Sequence, residues 1–267
     1  MHLATLETIT LRRDRVIPFV RTPRAATPAV APSERVYAIG DIHGRLDLLL
    51  ALMAEITNDA AKFEDGRKVK LVFLGDYIDR GEQSREVLDA LSRMATLKSS
   101  RLVFLRGNHE DALRYFLYAP TEGAEWFDFG GLQTLASFGI QPPQLRHGKR
   151  DLFRVRTELA NAISDYENLF DAMVNSHRSG DVIFTHAGVD PSKTLEEQSP
   201  RTLLWGHSEA QRPNPMPGHR IVHGHYDADD FISHPGRICV DTGAYYSGRL
   251  TAVRLDKSEA FLSTADS

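Results

Sequence analysis

The feature of this sequence that most constrains its fold is a strand, loop and helix pattern that recurs along its first half. Apolar runs at 36–39, 69–74 and 102–105 each lead into a glycine and a polar loop. Apolar residues at helical spacing follow the first two runs, at 46–56 and 87–94. Because parallel strands need long crossover connections, the pattern predicts an α/β fold with a parallel or mixed sheet flanked by helices.

The rest of the chain adds helices and then further strands. Residues 111–180 are predicted to be mostly helical, as an insertion into the α/β fold. Four strand candidates close the chain, at 182–185, 220–222, 237–240 and 250–254. Residues 1–33 are expected to form a flexible tail, because 12–32 carry five arginines and four prolines, a composition that cannot build a core. One folded domain is expected over 34–267.

Length and composition limit the classes of protein to which this chain can belong. Its 267 residues, 42% of them apolar, are enough for a full hydrophobic core. A net charge of −4 does not favour binding of nucleic acid. No apolar run approaches the ~20 residues of a membrane-spanning helix. The single cysteine, Cys239, excludes an internal disulfide and suits a reducing compartment, so a cytoplasmic protein without membrane contacts is expected.

Side chains that can bind metal ions lie just beyond five of the predicted strands. They are Asp41 and His43, Asp76 and Asp79, Asn108 and His109, His186, and His225. In open α/β sheets, ligands bind outside the carboxyl ends of the strands, so the five loops are expected to meet at one edge. Glycines beside nearly all of these residues let the backbone turn sharply and let a substrate approach closely.

The chemistry of these side chains indicates a pair of divalent cations. Imidazole nitrogens, carboxylate oxygens and an amide oxygen, without any thiolate, suit manganese, iron, zinc or cobalt. The set is too large for one ion, and two ions about 3.5 to 4 Å apart, bridged by a carboxylate, form a type of hydrolase site used on phosphate esters. With Arg80 and Arg106 nearby, the site is expected to be positively charged and to attract an anion.

Three motifs in these loops match a known family. They are Gly-Asp-Ile-His-Gly at 40–44, Gly-Asp-Tyr-Ile-Asp-Arg-Gly at 75–81 and Arg-Gly-Asn-His-Glu at 106–110. In this order and spacing, the chain resembles the phosphoprotein phosphatase family of calcineurin-like metallophosphoesterases, particularly its small bacterial and phage-encoded members. Stretches at 195–205 and 240–244 look like the bacterial branch, and the resemblance covers about 35–255. It implies a layered α/β sandwich of mixed β-sheets flanked by helices.

The resemblance also implies which residues bind the two cations. The first cation is assigned Asp41, His43 and Asp76, and the second is assigned Asp76, Asn108, His186 and His225. Manganese is the metal expected, and iron, zinc or cobalt would suit the same ligands. A water activated by both ions is expected to attack phosphorus in line with the leaving oxygen, so no phosphoenzyme forms.

By the same resemblance, further side chains act on the substrate. His109 would protonate the leaving oxygen, with Asp79 holding the imidazole in its charged form. Arg80 and Arg106 would bind the phosphate oxygens as guanidinium forks, together with Asn108 and His109. The substrate implied is a phosphorylated protein or peptide, at phosphoserine and phosphothreonine, with phosphotyrosine left open.

Two positions depart from the family's pattern. Family members usually place another phosphate-binding arginine two residues after the Leu-Leu-Trp segment, where this chain has His207. His207 itself, Arg212 or Arg220 could take that role, or phosphate affinity could be lower. Phe129 stands before a Gly-Gly pair where the bacterial branch often has asparagine, which leaves substrate preference open.

Two other functions are compatible with the sequence. A symmetrical diadenosine tetraphosphate hydrolase shares the metal core and differs in the surrounding loops. A non-catalytic scaffold would keep the fold without turnover, although the complete ligand set together with His109 argues against it. The oligomeric state is left open.

Several neighbouring residues have ordinary structural explanations. His223 is more simply a structural residue than a ligand, because the family's ligand aligns with His225. Glu110 could support Asn108 or cap the helix that follows it, since an acidic side chain near a helix N-terminus is favourable. Trp126 is expected to pack in apolar surroundings.

Overall fold

Two β-sheets and their flanking helices form the part of the chain that the computed structural model describes, residues 28–144 and 148–264. The strands are β1 (Glu34–Ile39), β2 (Lys68–Phe73), β3 (Leu102–Leu105), β4 (Met173–Val174), β5 (Ser176–Ser179), β6 (Val182–Thr185), β7 (Arg220–His223), β8 (Ile232–His234), β9 (Arg237–Cys239), β10 (Thr251–Leu255) and β11 (Glu259–Ser263). The α-helices are α1 (Leu46–Ala60), α2 (Ser84–Ala95), α3 (Asn108–Tyr118), α4 (Gly131–Ser137), α5 (Lys149–Ile163), α6 (Glu167–Ala172), α7 (Pro200–Trp205) and α8 (Ala244–Ser247). A 3₁₀ helix, Glu122–Phe129, lies between α3 and α4. None of the helices in these residues is both long and apolar enough to cross a membrane.

Both sheets are mixed. The larger has the strand order β11-β10-β1-β2-β3-β4, in which β1 to β4 are parallel and β10 and β11 are antiparallel to their neighbours. The smaller has the order β5-β6-β7-β9-β8, with a parallel centre and antiparallel edges. The structure therefore confirms the predicted α/β sandwich of mixed sheets flanked by helices.

The packing of the larger sheet follows from the alternation of side chains along β1. Tyr37 and Ile39 are buried in the core layer beneath the helices. Val36 and Ala38 are buried in a second layer, between the two sheets. Successive side chains of a strand point to opposite faces, so a central strand that is covered on both faces is apolar throughout.

Helix α1 covers the larger sheet because its apolar residues recur at helical spacing. Leu49, Leu52 and Ile56 are buried against the sheet. Near the end of the helix, the Asp59 carboxylate accepts hydrogen bonds from the Tyr37 hydroxyl (2.8 Å) and from Nη1 of Arg254 (2.9 Å). These bonds tie the helix to β1 and β10.

The four strands that the sequence did not predict are the edge strands of the two sheets. They are β4 and β11 in the larger sheet and β5 and β8 in the smaller. Edge strands are often short and polar, and β5 has the sequence Ser-His-Arg-Ser, which carries no apolar alternation. Because β4 and β5 lie within the predicted insertion 111–180, its helical part ends earlier than expected, with α6 at Ala172.

The last residues of the predicted tail, 28–33, contact the smaller sheet. Val30 is buried in the layer between the sheets. The N–H of Ala31 donates to Oγ of Ser179 (3.0 Å), and the N–H of Asp181 donates to the carbonyl of Ala29 (2.8 Å). The tail prediction otherwise concerns residues 1–27, which lie outside the described residues.

The carboxyl ends of parallel strands from both sheets meet at one edge. After β6, Nδ1 of His186 lies 2.9 Å from the carbonyl oxygen of Leu74, which follows β2. After β7, the N–H of Gly224 donates to the carbonyl of His186 (2.9 Å). The backbone after β1 is also close to its neighbour, since a Cβ on Gly40 would lie 2.5 Å from the carbonyl oxygen of Val240. The loops that carry the candidate ligands are thus brought together.

Candidate metal centre

Asp76 lies at the middle of the centre and faces two groups of imidazoles. Its Oδ2 lies 3.5 Å from Nε2 of His43 and 3.8 Å from Nε2 of His109. Its Oδ1 lies 3.4 Å from Nε2 of His186, and His225 completes this second group. The ligand atoms within each group lie within 4.8 Å of one another. The two groups share Asp76 and use different oxygens of its carboxylate for these imidazole contacts.

Asn108 joins the second group through its side-chain oxygen. Its Oδ1 lies 2.8 Å from Nε2 of His186 and 2.9 Å from Nδ1 of His225. Asn108 is the first residue of α3, and the N–H of His109, the next residue, donates to Oδ1 of Asp76 (3.1 Å). The positive end of the helix dipole therefore faces the Asp76 carboxylate and stabilises it.

Asp41 contributes a buried carboxylate with one unpaired oxygen. Its Oδ2 accepts a hydrogen bond from the N–H of His225 (3.0 Å), but its Oδ1 has no hydrogen-bond partner among the described residues. Burial, together with the nearby carboxylates of Asp241 and Asp76, raises the pKa of Asp41 well above its usual value. An unpaired buried carboxylate costs free energy unless a cation or a proton neutralises it.

These donors fit divalent cations. The predicted ligands that the structure brings together are Asp41, His43, Asp76, Asn108, His186 and His225. Their nitrogen and oxygen atoms suit the metals expected from the sequence, and the unpaired Oδ1 of Asp41 is an oxygen that a cation could use as a ligand. The first group differs from the predicted set of Asp41, His43 and Asp76, because it contains His109 and does not contain Asp41.

The electrostatics keep Asp76 ionised and two of the imidazoles neutral. Burial would raise the pKa of Asp76, but His186 and His109 outweigh it and hold the pKa well below its usual value. Burial lowers the pKa of His43 well below its usual value and that of His225 to about 4. Neutral imidazole is the form that binds metal ions.

Left-handed backbone conformations are concentrated in these loops. Outside glycine, the described residues with positive φ are His43 (43°), Asp76 (51°), Asp79 (71°), Arg80 (67°), Lys98 (45°) and His225 (65°). All of them except Lys98 lie in the candidate centre. Such conformations are uncommon for residues with a Cβ and occur preferentially at functional sites, where the surroundings hold them.

His109 is held by a second carboxylate, Asp79. Nδ1 of His109 lies 2.7 Å from Oδ2 of Asp79, which also accepts a hydrogen bond from Nε1 of Trp126 (2.7 Å). The Thr134 hydroxyl donates to the other oxygen of Asp79. Burial would lower the pKa of His109, but Asp76 and Asp79 outweigh it and raise the pKa.

Trp126 and Thr134, two residues of the helical insertion, therefore position Asp79. The sequence analysis did not predict this role for either residue. Trp126 is buried as expected, but it also serves as a hydrogen-bond donor. No pattern in the sequence marks Thr134, because a lone threonine in a helix carries no signal of what its hydroxyl contacts.

Glu110 ties two of the loops together. Its Oε1 accepts a hydrogen bond from the N–H of Tyr77 (2.8 Å), and its Oε2 accepts from the N–H groups of Asp76 (3.0 Å) and Gly107 (2.9 Å). The last bond caps the first turn of α3, one of the two roles expected from the sequence. Burial and the Asp76 carboxylate raise the pKa of Glu110 to about 7.

The two predicted phosphate-binding arginines have different surroundings. Nη1 of Arg80 donates to Nε2 of His43 (3.1 Å), and the guanidinium carbon lies 5.0 Å from the ring centroid of Tyr245. Arg106 directly follows β3, and its buried Nε has no hydrogen-bond partner among the described residues. The structure thus brings Arg80 to the first imidazole group and leaves Nε of Arg106 without an acceptor.

Each of the three candidates for the missing arginine lies beside a carboxylate. Arg212 pairs with a neighbouring glutamate. Arg220 begins β7, at the end of the strand opposite the centre, and pairs with Glu259. Nε2 of His207 lies 4.0 Å from Oδ1 of Asp190. Of the three, Arg220 is the one that its strand places away from the centre.

Two partly exposed aromatic rings border the centre. The ring centroid of Phe129 lies 6.5 Å from that of His109, and the centroid of Tyr245 lies 5.5 Å from that of His43. Beyond Phe129, a cavity of about 660 Å³ has Arg114 and Arg201 among its lining residues. Phe129 therefore lies between His109 and this cavity.

Comparisons of sequence and structure identify known proteins to which this chain is similar. A bis(5′-nucleosyl)-tetraphosphatase of the asymmetrical type from Anoxybacillus flavithermus is 27% identical over 241 residues, covering 83% of this chain and 90% of that protein. A putative serine/threonine-protein phosphatase from Caenorhabditis elegans is 44% identical over 75 residues, covering 28% of this chain and 15% of that protein. The solved structure of a protein serine/threonine phosphatase from Saccharomyces cerevisiae shares the fold, with a TM-score of 0.54 at 16% identity over 90% of this chain and 84% of that one.

The family model for calcineurin-like phosphoesterases matches residues 34–243, which include the three motifs and all the candidate ligands. This match confirms the resemblance that the motifs indicated. The chain therefore belongs to the calcineurin-like phosphoesterase family and is a metal-dependent phosphoesterase.

Proposed function

We propose that this phosphoesterase hydrolyses phosphomonoesters of serine and threonine in proteins or peptides. The observation that carries the proposal is the buried pair of His109 and Asp79, in which a carboxylate helps to raise the pKa of the imidazole. An imidazolium here can give a proton to the leaving oxygen. Serine and threonine alkoxides are poor leaving groups that need this proton, whereas a nucleoside diphosphate leaves as a stable anion.

Arg80 is the side chain that we expect to bind the phosphate first. Its guanidinium lies at the first imidazole group, and the Tyr245 ring beside it would still orient it when Nε2 of His43 binds a cation. A guanidinium held in this way can donate two parallel hydrogen bonds to phosphate oxygens. Arg106 and Asn108 are the further phosphate contacts expected from the family resemblance.

Two divalent cations, for which we propose manganese, would be held around Asp76. Asp41, His43 and Asp76 would hold one, and Asp76, Asn108, His186 and His225 would hold the other. Bound there, the cations would neutralise phosphate charge and make water a better nucleophile at neutral pH. The chain's own part is to keep Asp76 ionised between the two groups and to keep His43 and His225 neutral.

A second candidate substrate is a dinucleoside tetraphosphate. It is favoured by the similarity to the Anoxybacillus flavithermus tetraphosphatase, which extends over 83% of this chain. The cavity beyond Phe129 also offers the aromatic surface of Tyr115 and Trp205 to a nucleotide base. The non-catalytic scaffold is not retained, because the chain belongs to a family of phosphoesterases and keeps its candidate ligands and His109 together.

We further propose that the protein acts in the cytoplasm, on phosphorylated proteins rather than on nucleic acids or membranes. Its only cysteine, Cys239, is a buried free thiol, which suits a reducing compartment. A net charge of −4 gives the protein no overall electrostatic attraction to polyanions such as nucleic acids.

Assays of metal-stripped protein reloaded with manganese distinguish the two substrates. The ratio kcat/KM is measured on phosphoserine, phosphothreonine and phosphotyrosine peptides and on diadenosine tetraphosphate. We expect the phosphoserine and phosphothreonine peptides to give the highest values. A higher value on the dinucleotide would favour the second candidate, and its products, either two ADP or ATP with AMP, would identify the bond that is cut. The metal-stripped protein is the control and should be inactive.

A further inference from the structure

A buried hydrogen-bond chain behind His225 has no role in the function proposed above. Arg237 on β9 is 3% exposed, and its Nη1 lies 3.1 Å from Nε2 of His223, the last residue of β7. Nδ1 of the same imidazole lies 2.8 Å from the carbonyl oxygen of Gly224. The chain of contacts thus runs from Arg237 through His223 to the residue before a candidate metal ligand.

The chemistry of Arg237 fixes the direction of each hydrogen bond in this chain. A guanidinium only donates, so Nε2 of His223 accepts and carries no proton. The imidazole is therefore neutral, with its proton on Nδ1, and Nδ1 donates to the Gly224 carbonyl. Replacing the guanidinium would remove the group that selects this tautomer.

Burial of the Arg237 guanidinium costs folding free energy. Its Nε has no hydrogen-bond partner within residues 28–144 and 148–264, and the partner of its Nη1 is an uncharged imidazole. By contrast, the guanidinium of Arg220, at the other end of β7, faces the Glu259 carboxylate. A buried cation without a counter-charge lowers stability, so overall stability alone does not account for a guanidinium at position 237.

The Gly224 carbonyl is the point at which this chain acts on His225. It accepts a hydrogen bond from the N–H of Tyr226 (2.7 Å), and this bond closes a three-residue turn with His225 at its centre. It also accepts a hydrogen bond from the His223 imidazole. The φ angle of His225 is 65°, a strained value for a residue with a Cβ. Such a conformation persists only where the surroundings hold it.

We propose that Arg237 and His223 are positioning residues that hold His225 in this turn and thereby set the affinity of the second cation site. Neither residue belongs to the candidate ligand set, and both act through the Gly224 carbonyl. Residues that orient metal ligands from behind commonly change metal affinity by about 10- to 100-fold when they are replaced. The inference rests on the proposed pair of cations and is independent of the substrate.

The tautomer of His223 in the unaltered protein provides the first test. Long-range ¹H–¹⁵N spectra of the metal-free protein at neutral pH report which ring nitrogen carries the proton, and the signal is assigned by its loss in His223→Gln. We expect a neutral ring with the proton on Nδ1. A proton on Nε2, or a charged ring, would overturn the proposal, because Arg237 could not then donate to it.

Manganese binding provides the second test. Calorimetric titration of metal-free Arg237→Met with MnCl₂ should show one site unchanged and the other weakened by roughly 10- to 100-fold. Arg237→Lys, which still donates, should recover most of the affinity. The matched control is Arg220→Met, which removes a buried arginine at the far end of β7 and should leave both manganese affinities unchanged.

The outcomes separate this inference from the proposed function. If unaltered protein binds two manganese ions and folded Arg237→Met binds both as tightly, only this inference is lost. Equal weakening in Arg220→Met would also overturn it, since the effect would then be one of general stability. If unaltered protein binds a single manganese ion, the proposed cation pair fails and the inference fails with it. Should Arg237→Met not fold, the Arg237→Lys titration and the tautomer measurement decide the question.

Discussion

Nδ1 of His109 lies 2.7 Å from Oδ2 of Asp79, and both side chains are buried. The same carboxylate is held by Trp126 and Thr134, so the imidazole is fixed from the side opposite its Nε2. This is the arrangement expected of a proton donor that acts at one position, and its effect should depend on the leaving group.

Replacing His109 with alanine should slow hydrolysis of phosphoserine peptides by roughly 100- to 10,000-fold, because the leaving alkoxide loses its proton donor. The loss should be smaller on nitrophenyl phosphate, whose leaving group scarcely needs a proton. Steady-state kinetics on both substrates test this, with metal content measured in the same samples. Equal losses on the two substrates would contradict the assigned role.

Replacing Asp76 with asparagine should weaken both cation sites at once, since its two oxygens face different imidazole groups. Elemental analysis after equilibration with manganese measures the effect. Asp89→Asn is a matched control, because Asp89 accepts a hydrogen bond from Tyr166 and is not among the candidate ligands. Two full equivalents of manganese in Asp76→Asn would show that Asp76 is not shared.

Replacing Thr134 with valine keeps the shape of the side chain and removes the hydroxyl that bonds to Asp79. We expect the free energy of unfolding to fall by about 1–2 kcal/mol and turnover of phosphoserine peptides to fall as well. Ser137→Ala on the same helix is the control, since its hydroxyl bonds to the carbonyl of Thr134. If both variants lose turnover equally, Thr134 has no specific effect through Asp79.

Replacing Gly224 with alanine should displace Asp41, because a Cβ at this position would lie 1.8 Å from Oδ1 of Asp41. We expect reduced manganese binding in a protein that retains its circular dichroism spectrum. Gly180→Ala is a control away from the centre, in which the Cβ would crowd the carbonyl oxygen of Ala29 at 2.4 Å instead. Normal manganese binding by Gly224→Ala would argue against Asp41 as a ligand.

Asp59 should give the metal-free protein a stability that depends on pH. Burial would raise its pKa, but Arg254 and Tyr37 outweigh it and lower the pKa below the reference value of 3.8. The stabilisation is therefore present above about pH 4 and is lost as the pH falls through the pKa of the folded state. Asp59→Asn should lower the free energy of unfolding by about 1–3 kcal/mol at pH 7 and by less at pH 3. Urea unfolding at both pH values measures this, and an effect that does not change with pH would refute it.

The loops that carry the candidate ligands could be predicted because each follows a strand with a strong local pattern. The apolar residues of β1 and the end of β2 are buried, and Gly40 and Gly75 then end these runs. A Cβ on Gly75 would lie 2.6 Å from the backbone nitrogen of Gly107, so glycine is required at this turn. Local composition therefore determines where Asp41 and Asp76 emerge from the sheet.

The contacts that sequence analysis missed join residues that are far apart in the chain. Thr134 contacts Asp79 across 55 positions, and neither residue has a local pattern that identifies the other. Arg237 meets His223 only because β7 and β9 pair in parallel in the smaller sheet. Such pairings depend on the assembled fold. For the same reason, the polar edge strand β5 could not be predicted, since its sequence has no apolar alternation and only its pairing with β6 makes it a strand.

Asp76 directs one carboxylate oxygen toward His43 and the other toward His186. Rotation of this side chain to improve one contact would worsen the other, so both halves of the centre constrain a single rotamer. Natural variation that adjusts the metal preference of one half would therefore act through the ligands that belong to that half alone and leave Asp76 unchanged. The histidines of each half can therefore vary independently, whereas a change at Asp76 affects both halves at once.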